Sequence, residues 1–482
     1  MQRREFNWAL GGSLLSQRPD GGRGGNKPNI VYILCDDLGW GDLECFNKDS
    51  GIPTPNANKL ASEGVRFVDM HSPSSVCTPT RYGILTGRYC WRSRLKSGVL
   101  DGRGSNLIEP GRHTVASMLK AQGYHTAAIG KWHLGFQDHQ PVDYSKPLTP
   151  GPNDHGFDYF FGIPASLDFE PYLFVENNKP VEAPTAKTEG KNDPRGVFWR
   201  AGDIAPSFTM EGCLPTLAGK AVAYLKERAA ASPSQPFFLY FPLTGPHTPW
   251  MPTREWSGKS KAGIYGDFVA QVDALLGHIS ATLEQTGQAR NTLLIFTSDN
   301  GAHWTPDDQA KFPHRANANW RGMKADIHDA GHRIPLIARW PGRIKGGQVS
   351  RQLGCLTDLM ATAAEVVGYT LPEGAGEDSF SWLPAATGSK PKTALRDTIV
   401  HHSSQGMFAI RRGDWKLCLG RGSGGFSMPQ TIEPKAGEPE GELYNLATDA
   451  GETDNVYLKH PDVVAELTAR LNRYKAEGRS RA

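Results

Sequence analysis

Four predicted strands run directly into polar or charged residues, and this pattern constrains the fold more than any other feature of the sequence. Helical patterns separate the strands, as in an α/β sheet with helices on its faces. The strands are Asn29–Cys35, His125–Ile129, Pro236–Phe241 and Thr292–Thr297. The residues that follow them are Asp36 and Asp37, Lys131 and His133, His247, and Asp299 and Asn300. Because ligands of open α/β sheets bind beyond the carboxyl ends of the strands, we expect these side chains to share one pocket, although any one alone would fit an ordinary loop.

The size and charge of the chain exclude several classes of protein. Its 482 residues are enough for a large core and for more than one domain. A formal net charge of +3 argues against nucleic acid or an anionic membrane as the partner, while one site for an anion can be basic without changing that total. No apolar run of about 18 residues is present, so no transmembrane segment is expected.

Residues 1–25 differ in composition from the rest of the chain. Arg3 and Arg4, followed by the short apolar stretch Trp8–Leu15, have the pattern of a shortened twin-arginine export signal. Gly21–Gly25 then predicts a flexible lead-in. An export signal predicts a periplasmic or secreted protein. Glycines break the apolar stretch, however, so a terminus without a targeting role fits it equally well and leaves a cytoplasmic location open.

The pattern changes again beyond about Pro384. Phe408–Leu417 predicts a β-hairpin, and Val463–Tyr474 predicts an amphipathic helix. We therefore expect one large domain over residues 26–384 and a small α+β domain over residues 385–482, built from an antiparallel sheet and a helix. The segments 138–153 and 176–215 are rich in proline, glycine and charge, which predicts surface excursions.

The segment CTPTR at residues 77–81 carries the most specific signal in the chain. The seven cysteines form no CxxC pair, which argues against a zinc ribbon or a thioredoxin-like site. Taken alone, Cys77 fits a buried cysteine before a turn. With its neighbours, it resembles the signature at which formylglycine-dependent sulfatases are modified, with Thr80 where serine is usual.

Further blocks of sequence resemble the same family and follow the family's order. They are Asn29–Asp42, Gly130–Gly135, Thr297–Gly301 and Arg321–Pro335. The similarity to arylsulfatase A and the galactosamine sulfatases extends from about Asn29 to Trp382, with a weaker likeness in the C-terminal domain. The resemblance implies an alkaline-phosphatase-like fold, a mixed sheet sandwiched by helices. It also implies that a formylglycine-generating enzyme converts Cys77 to formylglycine.

Oxygen ligands dominate the strand-end residues, which favours a hard cation. The ligands are Asp36, Asp37, Asp299 and Asn300. This set suits Ca²⁺, which takes about six to eight oxygens, and Mg²⁺ stays an alternative that demands a tighter octahedron. It does not suit zinc, because thiolates and a histidine cluster are missing. The other interpretation is that the two adjacent aspartates cap a turn before Gly39. By the resemblance, Cys77 as formylglycine is both a metal ligand and the covalent nucleophile.

Fixed cations should surround the substrate of such a site. A sulfate ester is anionic, and its charge spreads over its oxygens as sulfur is transferred. The resemblance implies that Lys131 and Lys324 bind the sulfate. Arg81 lies four residues after Cys77, on the same face of a helix that begins near Pro79, where it would hold the hydrated aldehyde. Each of these residues would otherwise fit a solvated surface position.

Two histidines can move protons near neutral pH. The resemblance implies that His247 protonates the departing alcohol, with Lys324 as a second proton donor, and that His133 takes a proton from the hydrate to release sulfate. Other residues are predicted at the substrate rim, where ordinary packing is the alternative for each. They are His303, Trp304 and His332, with Trp320 as a further aromatic residue. The resemblance also implies that Ser166 contacts the sulfate.

The predicted substrates are sulfated carbohydrates and aryl sulfates. A phosphonate monoester or phosphodiester hydrolase of the same superfamily is the nearest alternative, because some of these enzymes share the modified cysteine. A binding protein that retains the fold without turnover is the other alternative. It predicts missing ligands or a missing nucleophile, whereas every expected position is filled here.

Overall fold

The computed structural model describes residues 27–232, 234–391 and 395–481. The predicted export signal in residues 1–25 therefore lies outside the described part of the chain. Within that part, no helix is both long enough and apolar enough to cross a membrane.

Strands and helices alternate along most of the chain. The strands are β1 (Asn29–Cys35), β2 (Val65–His71), β3 (His125–Lys131), β4 (Tyr159–Ile163), β5 (Val175–Glu176), β6 (Lys179–Pro180), β7 (Ala186–Thr188), β8 (Gly202–Ile204), β9 (Phe237–Pro242), β10 (Thr292–Ser298), β11 (Arg333–Arg339), β12 (Gln348–Ser350), β13 (Gly354–Cys355), β14 (Thr398–His402), β15 (Phe408–Arg412), β16 (Trp415–Cys418) and β17 (Glu442–Asn445). The α-helices are α1 (Pro55–Glu63), α2 (Cys77–Thr86), α3 (Val115–Ala121), α4 (Met210–Ala231), α5 (Gly263–Gln285), α6 (Pro306–Lys311), α7 (Asp329–His332), α8 (Leu359–Val367), α9 (Leu383–Thr387) and α10 (Pro461–Glu477).

One large mixed sheet organises most of these elements. Its strand order is β12-β2-β11-β10-β1-β9-β3-β4-β5-β6, and β13 pairs with the end of β2. The central strands β10, β1, β9, β3 and β4 are parallel, whereas β11 runs antiparallel to both of its neighbours. A mixed α/β sheet of this kind confirms the predicted fold class.

The central strands are buried on both faces, which explains why they read as continuous apolar runs. Every residue of β9 and β10 is buried, and so is all of β1 after its first residue. Helices α1, α4 and α5 contact one another in one group, and α2, α3 and α8 form another. Strand β3 contacts both groups, through α3 and through α4.

A second, four-stranded sheet lies near the C-terminus. It is antiparallel throughout, in the order β14-β15-β16-β17, and α10 packs against β15 and β16. Its core is apolar and includes Ile399, Ile410, Leu417 and Leu471. The predicted hairpin and the predicted final helix are both confirmed. The domain boundary near residue 384 stays a prediction.

Most of segment 176–215 is exposed or half-buried, as predicted for a surface excursion, whereas segment 138–153 is partly buried. Segment 176–215 contains short strands and then the first residues of α4, a helix of 22 residues. Gly212 and Pro215 in its first turns hide the helical pattern, since both residues disfavour a helix interior. Segment 138–153 has no α-helix or strand, but Val142 and Leu148 in it are buried in the main core.

A buried ionic network joins the C-terminal sheet to the segment Arg321–Pro335. Lys416 on β16 is fully buried, and its Nζ lies 3.1 Å from Asp329 Oδ1 and 2.6 Å from Glu452 Oε1. The Asp329 backbone N–H also donates to Glu452 Oε2 at 2.7 Å. Breaking one member of such a pair leaves a buried charge and costs roughly 3–5 kcal/mol. The network therefore fixes the segment that carries Lys324.

Candidate active site

The polar residues that follow the central strands meet at one edge of the main sheet. Strands β10, β1, β9 and β3 are consecutive and parallel, so their carboxyl ends lie side by side. The strand-end residues are all buried there: Asp36, Asp37, Lys131, His133, His247, Asp299 and Asn300. Cys77, Arg81 and Lys324 reach the same place from α2 and from the segment before α7.

Four potential ligand groups form a compact cluster at this edge. Asp36, Asp37, Cys77 and His247 each offer an atom, and these atoms all lie within 4.8 Å of one another. Cys77 Sγ is 3.6 Å from Asp36 Oδ1, and His247 Nε2 is 3.8 Å from Asp37 Oδ2. Within the described residues, such a cluster of acidic and sulfur groups can hold a metal ion.

Asp299 and Asn300 complete an oxygen-rich set around this cluster. The Asp37 backbone N–H donates to Asp299 Oδ1 at 3.3 Å, and Asn300 Nδ2 donates to Asp37 Oδ1 at 2.7 Å. Asn300 Oδ1 is buried without a hydrogen-bond partner, and Asp37 has a strained φ of 65°. A buried amide oxygen is costly unless a donor or a cation satisfies it. The donor set therefore fits a hard cation such as Ca²⁺.

Helix α2 begins at Cys77 and places Arg81 one turn further along. Proline is tolerated in the first turn of a helix, where its missing N–H has no partner to lose, and Pro79 occupies such a position. The Thr80 hydroxyl donates to the Ser74 carbonyl at 3.0 Å. A serine could make the same bond, which explains why threonine is compatible with this position.

The unmodified thiol of Cys77 would be a poor nucleophile in this setting. Burial raises its pKa to about 12, although Lys131 and Lys324 act to lower it. A thiol with that pKa stays protonated near neutral pH, and the thiolate is the reactive form. Burial therefore keeps Cys77, as a thiol, in its less reactive protonated form.

Three cations each face one carboxylate. The pairs are Arg81 Nη2 with Asp299 Oδ2 at 2.6 Å, Lys131 Nζ with Asp36 Oδ2 at 2.6 Å, and Lys324 Nζ with Asp37 Oδ2 at 2.8 Å. Although burial opposes ionisation of Asp36, Lys131 and the other cations hold its pKa well below the usual range. Burial and Asp36 together raise the pKa of Asp299 to about 6 despite Arg81. The facing carboxylates raise the pKa values of Arg81 and Lys324 above their usual range, although burial acts against this, so both side chains are held charged.

His133 is arranged to accept a proton. Its Nε2–H donates to the Leu100 carbonyl at 2.7 Å, and its Nδ1 is buried without a hydrogen-bond partner. Burial and the charges of Lys131 and Arg81 lower its pKa well below the usual value. The neutral ring therefore carries its lone pair on Nδ1. The φ of 58° at His133 adds backbone strain at this position.

The ring of His247 is held in one orientation. Its Nδ1–H donates to the Thr248 carbonyl at 2.6 Å, which turns Nε2 toward the carboxylate of Asp37. Because Nδ1 already carries a hydrogen, a hydrogen on Nε2 makes the ring an imidazolium. The carboxylate that faces Nε2 is that of Asp37, 3.8 Å away.

Ser166 and His303 lie beside this centre. Ser166 is buried just after β4, and its loop contacts the His133 loop through a hydrogen bond from the His133 backbone N–H to the Pro164 carbonyl at 2.9 Å. His303 is half-buried, and the charges of Lys324 and Asp37 act on it. Loop contacts thus place Ser166 near His133, and His303 lies near Lys324 and Asp37.

Trp304 does not lie at the substrate rim. Only 1% of its surface is exposed, and its ring packs against Tyr265, Phe312 and His314. Trp320 packs against Trp40 and under the guanidinium of Arg333. Both tryptophans therefore follow the packing alternative and not the prediction of substrate contact.

His332 also lies away from the rim, in a second buried cluster. It stacks on His401 with ring centroids 3.6 Å apart, and its Nδ1 lies 3.0 Å from His71 Nδ1. Lys416 Nζ is 3.1 Å from His332 Nε2. Stacked rings cannot both point at one ion in their planes, and the adjacent cation disfavours a metal. This cluster belongs to the network that joins the two sheets.

Two supporting groups escaped the sequence analysis. The Leu100 carbonyl fixes the tautomer of His133, and a backbone atom leaves no residue signature. Asp42 is fully buried and accepts hydrogen bonds from the Gly39 backbone and the Tyr265 hydroxyl, with His314 Nε2 2.8 Å away. Asp42 thereby holds the loop that presents Asp36 and Asp37. Asp42 lies inside the block Asn29–Asp42, and the resemblance of that block to the family could have pointed to it.

The fold and the strand-end site define a hydrolase of the alkaline phosphatase superfamily. A family model described as Sulfatase matches residues 28–369. The chain therefore belongs to the sulfatase family and is a sulfuric ester hydrolase.

Individual relatives match almost the whole chain. An N-acetylgalactosamine-6-O-sulfatase of Bacteroides thetaiotaomicron is 33% identical and covers 97% of this chain and 96% of its own length. Human arylsulfatase A is also 33% identical, over 93% of this chain and 85% of its own length. A solved structure described under the metabolism of multiple glycosaminoglycans by the same Bacteroides species has a TM-score of 0.83 and 31% identity, and covers 94% of this chain and 100% of that chain.

Proposed function

We propose that this chain is a Ca²⁺-dependent sulfatase that hydrolyses sulfate esters of carbohydrates through a formylglycine made from Cys77. The observation that carries the proposal is the position of Cys77, buried against Asp36 and between Lys131 and Lys324. A thiol has no evident use among hard oxygen ligands and cations, whereas a hydrated aldehyde at the same place fits both. The small aryl sulfates are expected to serve as artificial substrates.

The chain's own residues then divide the work of the reaction. One hydroxyl of the formylglycine hydrate attacks sulfur as its proton passes to a carboxylate beside residue 77, Asp36 or Asp299. The second hydroxyl is deprotonated to release sulfate and restore the aldehyde. Ca²⁺, held by Asp36, Asp37, Asp299, Asn300 and residue 77, supplies positive charge beside the hydrate. Arg81 orients the hydrate from one helical turn away. Mg²⁺ is the alternative ion.

Lysines and histidines act on the substrate itself. Lys131 and Lys324 bind the sulfate oxygens and stabilise the charge that spreads over them. His247 gives the proton on Nε2 to the leaving alcohol, and Lys324 can assist. His133 Nδ1 takes the proton of the second hydroxyl. The bond between the hydrate oxygen and sulfur breaks only when that proton is removed. Ser166 is proposed as a further sulfate contact.

Replacing His133 by alanine is expected to separate the two halves of the reaction. The alcohol should still be released in one fast turnover, because His247 and the lysines are retained. The steady-state kcat should fall by about 10²–10⁴-fold, since the base for sulfate release is lost. Rapid-mixing assays with an aryl sulfate measure both phases. His139→Ala, in an exposed loop, is the control, and an equal loss of both phases in His133→Ala would contradict the assigned role.

The substrate is best tested with saccharides that are sulfated at defined positions. N-acetylgalactosamine 6-sulfate comes first, because a relative that matches 97% of this chain is named for that activity. We expect its kcat/KM to exceed that of the 4-sulfate by about tenfold or more. Ion chromatography of the released sulfate gives the rates.

Phosphorus esters provide the competing outcome. A phosphonate monoester hydrolase of Agrobacterium radiobacter has a TM-score of 0.62 and 19% identity to this chain, which shows a shared fold alone. The same preparations should be assayed with a phosphodiester and a phosphonate monoester. A preference for either of these by orders of magnitude over every sulfate ester would replace the sulfatase assignment of this site.

A further inference from the structure

Phe426 is an exposed aromatic residue beside the active site. It follows β16 in a loop rich in glycine and serine, and 47% of its surface is exposed. Its ring centroid lies 5.3 Å from that of His303, and the two rings are tilted by 59°. A single exposed apolar side chain is common on protein surfaces. Phe426 is distinguished by its contact with His303 and by how firmly its loop is held.

The backbone around Phe426 is held firmly in place. The N–H groups of Phe426 and Ser427 both donate to Asp326 Oδ1, at 2.8 and 3.0 Å. The Ser427 hydroxyl and the Met323 N–H bind Asp326 Oδ2, so this fully buried carboxylate ties the loop down from below. Gly425 fits so closely that a Cβ there would lie 2.3 Å from the Ala325 carbonyl oxygen. The loop thus presents Phe426 at a fixed position.

Backbone contacts connect that fixed position to the segments that carry Lys324 and Cys77. Ala325, which Gly425 touches, follows Lys324 in the chain, and its N–H donates to the Ser75 carbonyl two residues before Cys77. The Lys324 N–H donates to the Ala302 carbonyl, beside His303. The His303 and Phe426 rings therefore lie on loops whose backbones contact the segment of Lys324 and the residues just before Cys77.

We propose that Phe426, with His303 at its edge, is a stacking platform for a pyranose ring of the saccharide that carries the sulfate. This inference rests on the proposed function and names the part of the substrate that the cationic pocket does not bind. The C–H groups on one face of a pyranose form an apolar surface that packs on an aromatic ring. An immobile ring loses little conformational entropy when it binds, so it contributes affinity at low cost. The C-terminal sheet and its loops thereby shape the specificity of the site.

The test compares Phe426→Ala and Phe426→Trp with the unchanged enzyme on a sulfated oligosaccharide. We expect Phe426→Ala to raise KM about tenfold and to leave kcat within about threefold, whereas Phe426→Trp keeps KM near its original value. Met428→Ala and Leu458→Ala are matched controls, because both side chains are more exposed than Phe426, at 81% and 62%. Thermal unfolding of each variant reports on folding.

The possible outcomes separate the platform from the proposed function. An unchanged KM in a folded Phe426→Ala variant overturns the platform alone. A loss of kcat that Phe426→Trp does not restore also overturns it, because it indicates a structural role near Lys324. If the unchanged enzyme hydrolyses aryl sulfates but no sulfated saccharide, the carbohydrate substrate itself is wrong, and the platform is rejected with it.

Discussion

Replacing Cys77 by alanine or by serine is expected to abolish turnover, with a loss in kcat of about 10⁴-fold or more. The reason is that neither side chain provides an aldehyde hydrate, with its two hydroxyls, next to Asp36 and the lysines. Hydrolysis of an aryl sulfate by purified variants measures the loss. Peptide mass spectrometry over residues 66–81 shows in parallel whether the active protein carries the oxidised side chain.

A second cysteine serves as the control for this experiment. Cys45 is half-buried and outside the active site, so Cys45→Ser should keep the original rate. Full activity in either Cys77 variant would defeat the mechanism. Full activity in a preparation whose Cys77 is entirely an unmodified thiol would defeat it as well.

Removal of divalent cations is expected to eliminate activity, and Ca²⁺ is expected to restore it more effectively than Mg²⁺. The oxygen ligands come from four side chains on two strand ends, a flexible geometry that suits the larger ion. The affinity for Ca²⁺ should also depend on pH. In the metal-free site the pKa of Asp299 is raised to about 6 by burial and by Asp36, so this carboxylate gains a proton as pH falls below 6. Since a ligand must be deprotonated to bind, the apparent Kd should rise up to about tenfold per pH unit below that value.

Calorimetric titration with Ca²⁺ between pH 7 and pH 5 measures this dependence. Asp299→Asn removes the titrating group, so its weaker Ca²⁺ binding should lose the added pH dependence. Asp101→Asn is the matched control, because Asp101 is an exposed carboxylate outside the cluster. Activity that survives complete chelation, with no bound cation detected, would show that the acidic cluster serves another purpose.

The strand-end half of the site could be predicted from the sequence for a clear physical reason. Central parallel strands are buried on both faces, so β1, β9 and β10 stand out as apolar runs. The rule that ligands bind at their carboxyl ends then groups Asp36, His247 and Asp299 without any knowledge of side-chain contacts. The prediction needed only the direction and the burial of the strands.

The rim could not be predicted in the same way, because proximity in sequence does not fix the direction of a side chain. His303 faces the pocket, whereas its neighbour Trp304 turns into the core. Lys324 and His332 belong to one family-like block, yet the bend between them sends His332 into the network between the sheets. These outcomes depend on loop conformations that no periodic pattern records.

Phe426 is a proposed substrate contact that the sequence alone did not predict. Its loop has no apolar period, and its place beside His303 arises from hydrogen bonds to Asp326, a hundred residues earlier in the chain. Contacts of such separation become visible only in three dimensions.

The buried ionic network has a consequence for biosynthesis. It joins Lys416 and Glu452 to the segment Arg321–Pro335. As the ribosome elongates the chain, the acidic strand ends and Cys77 emerge long before Lys416 and Glu452 are made. A nascent chain that stops near residue 384 would contain every proposed catalytic group and still lack the buried ion pairs that hold Asp329, five residues after Lys324.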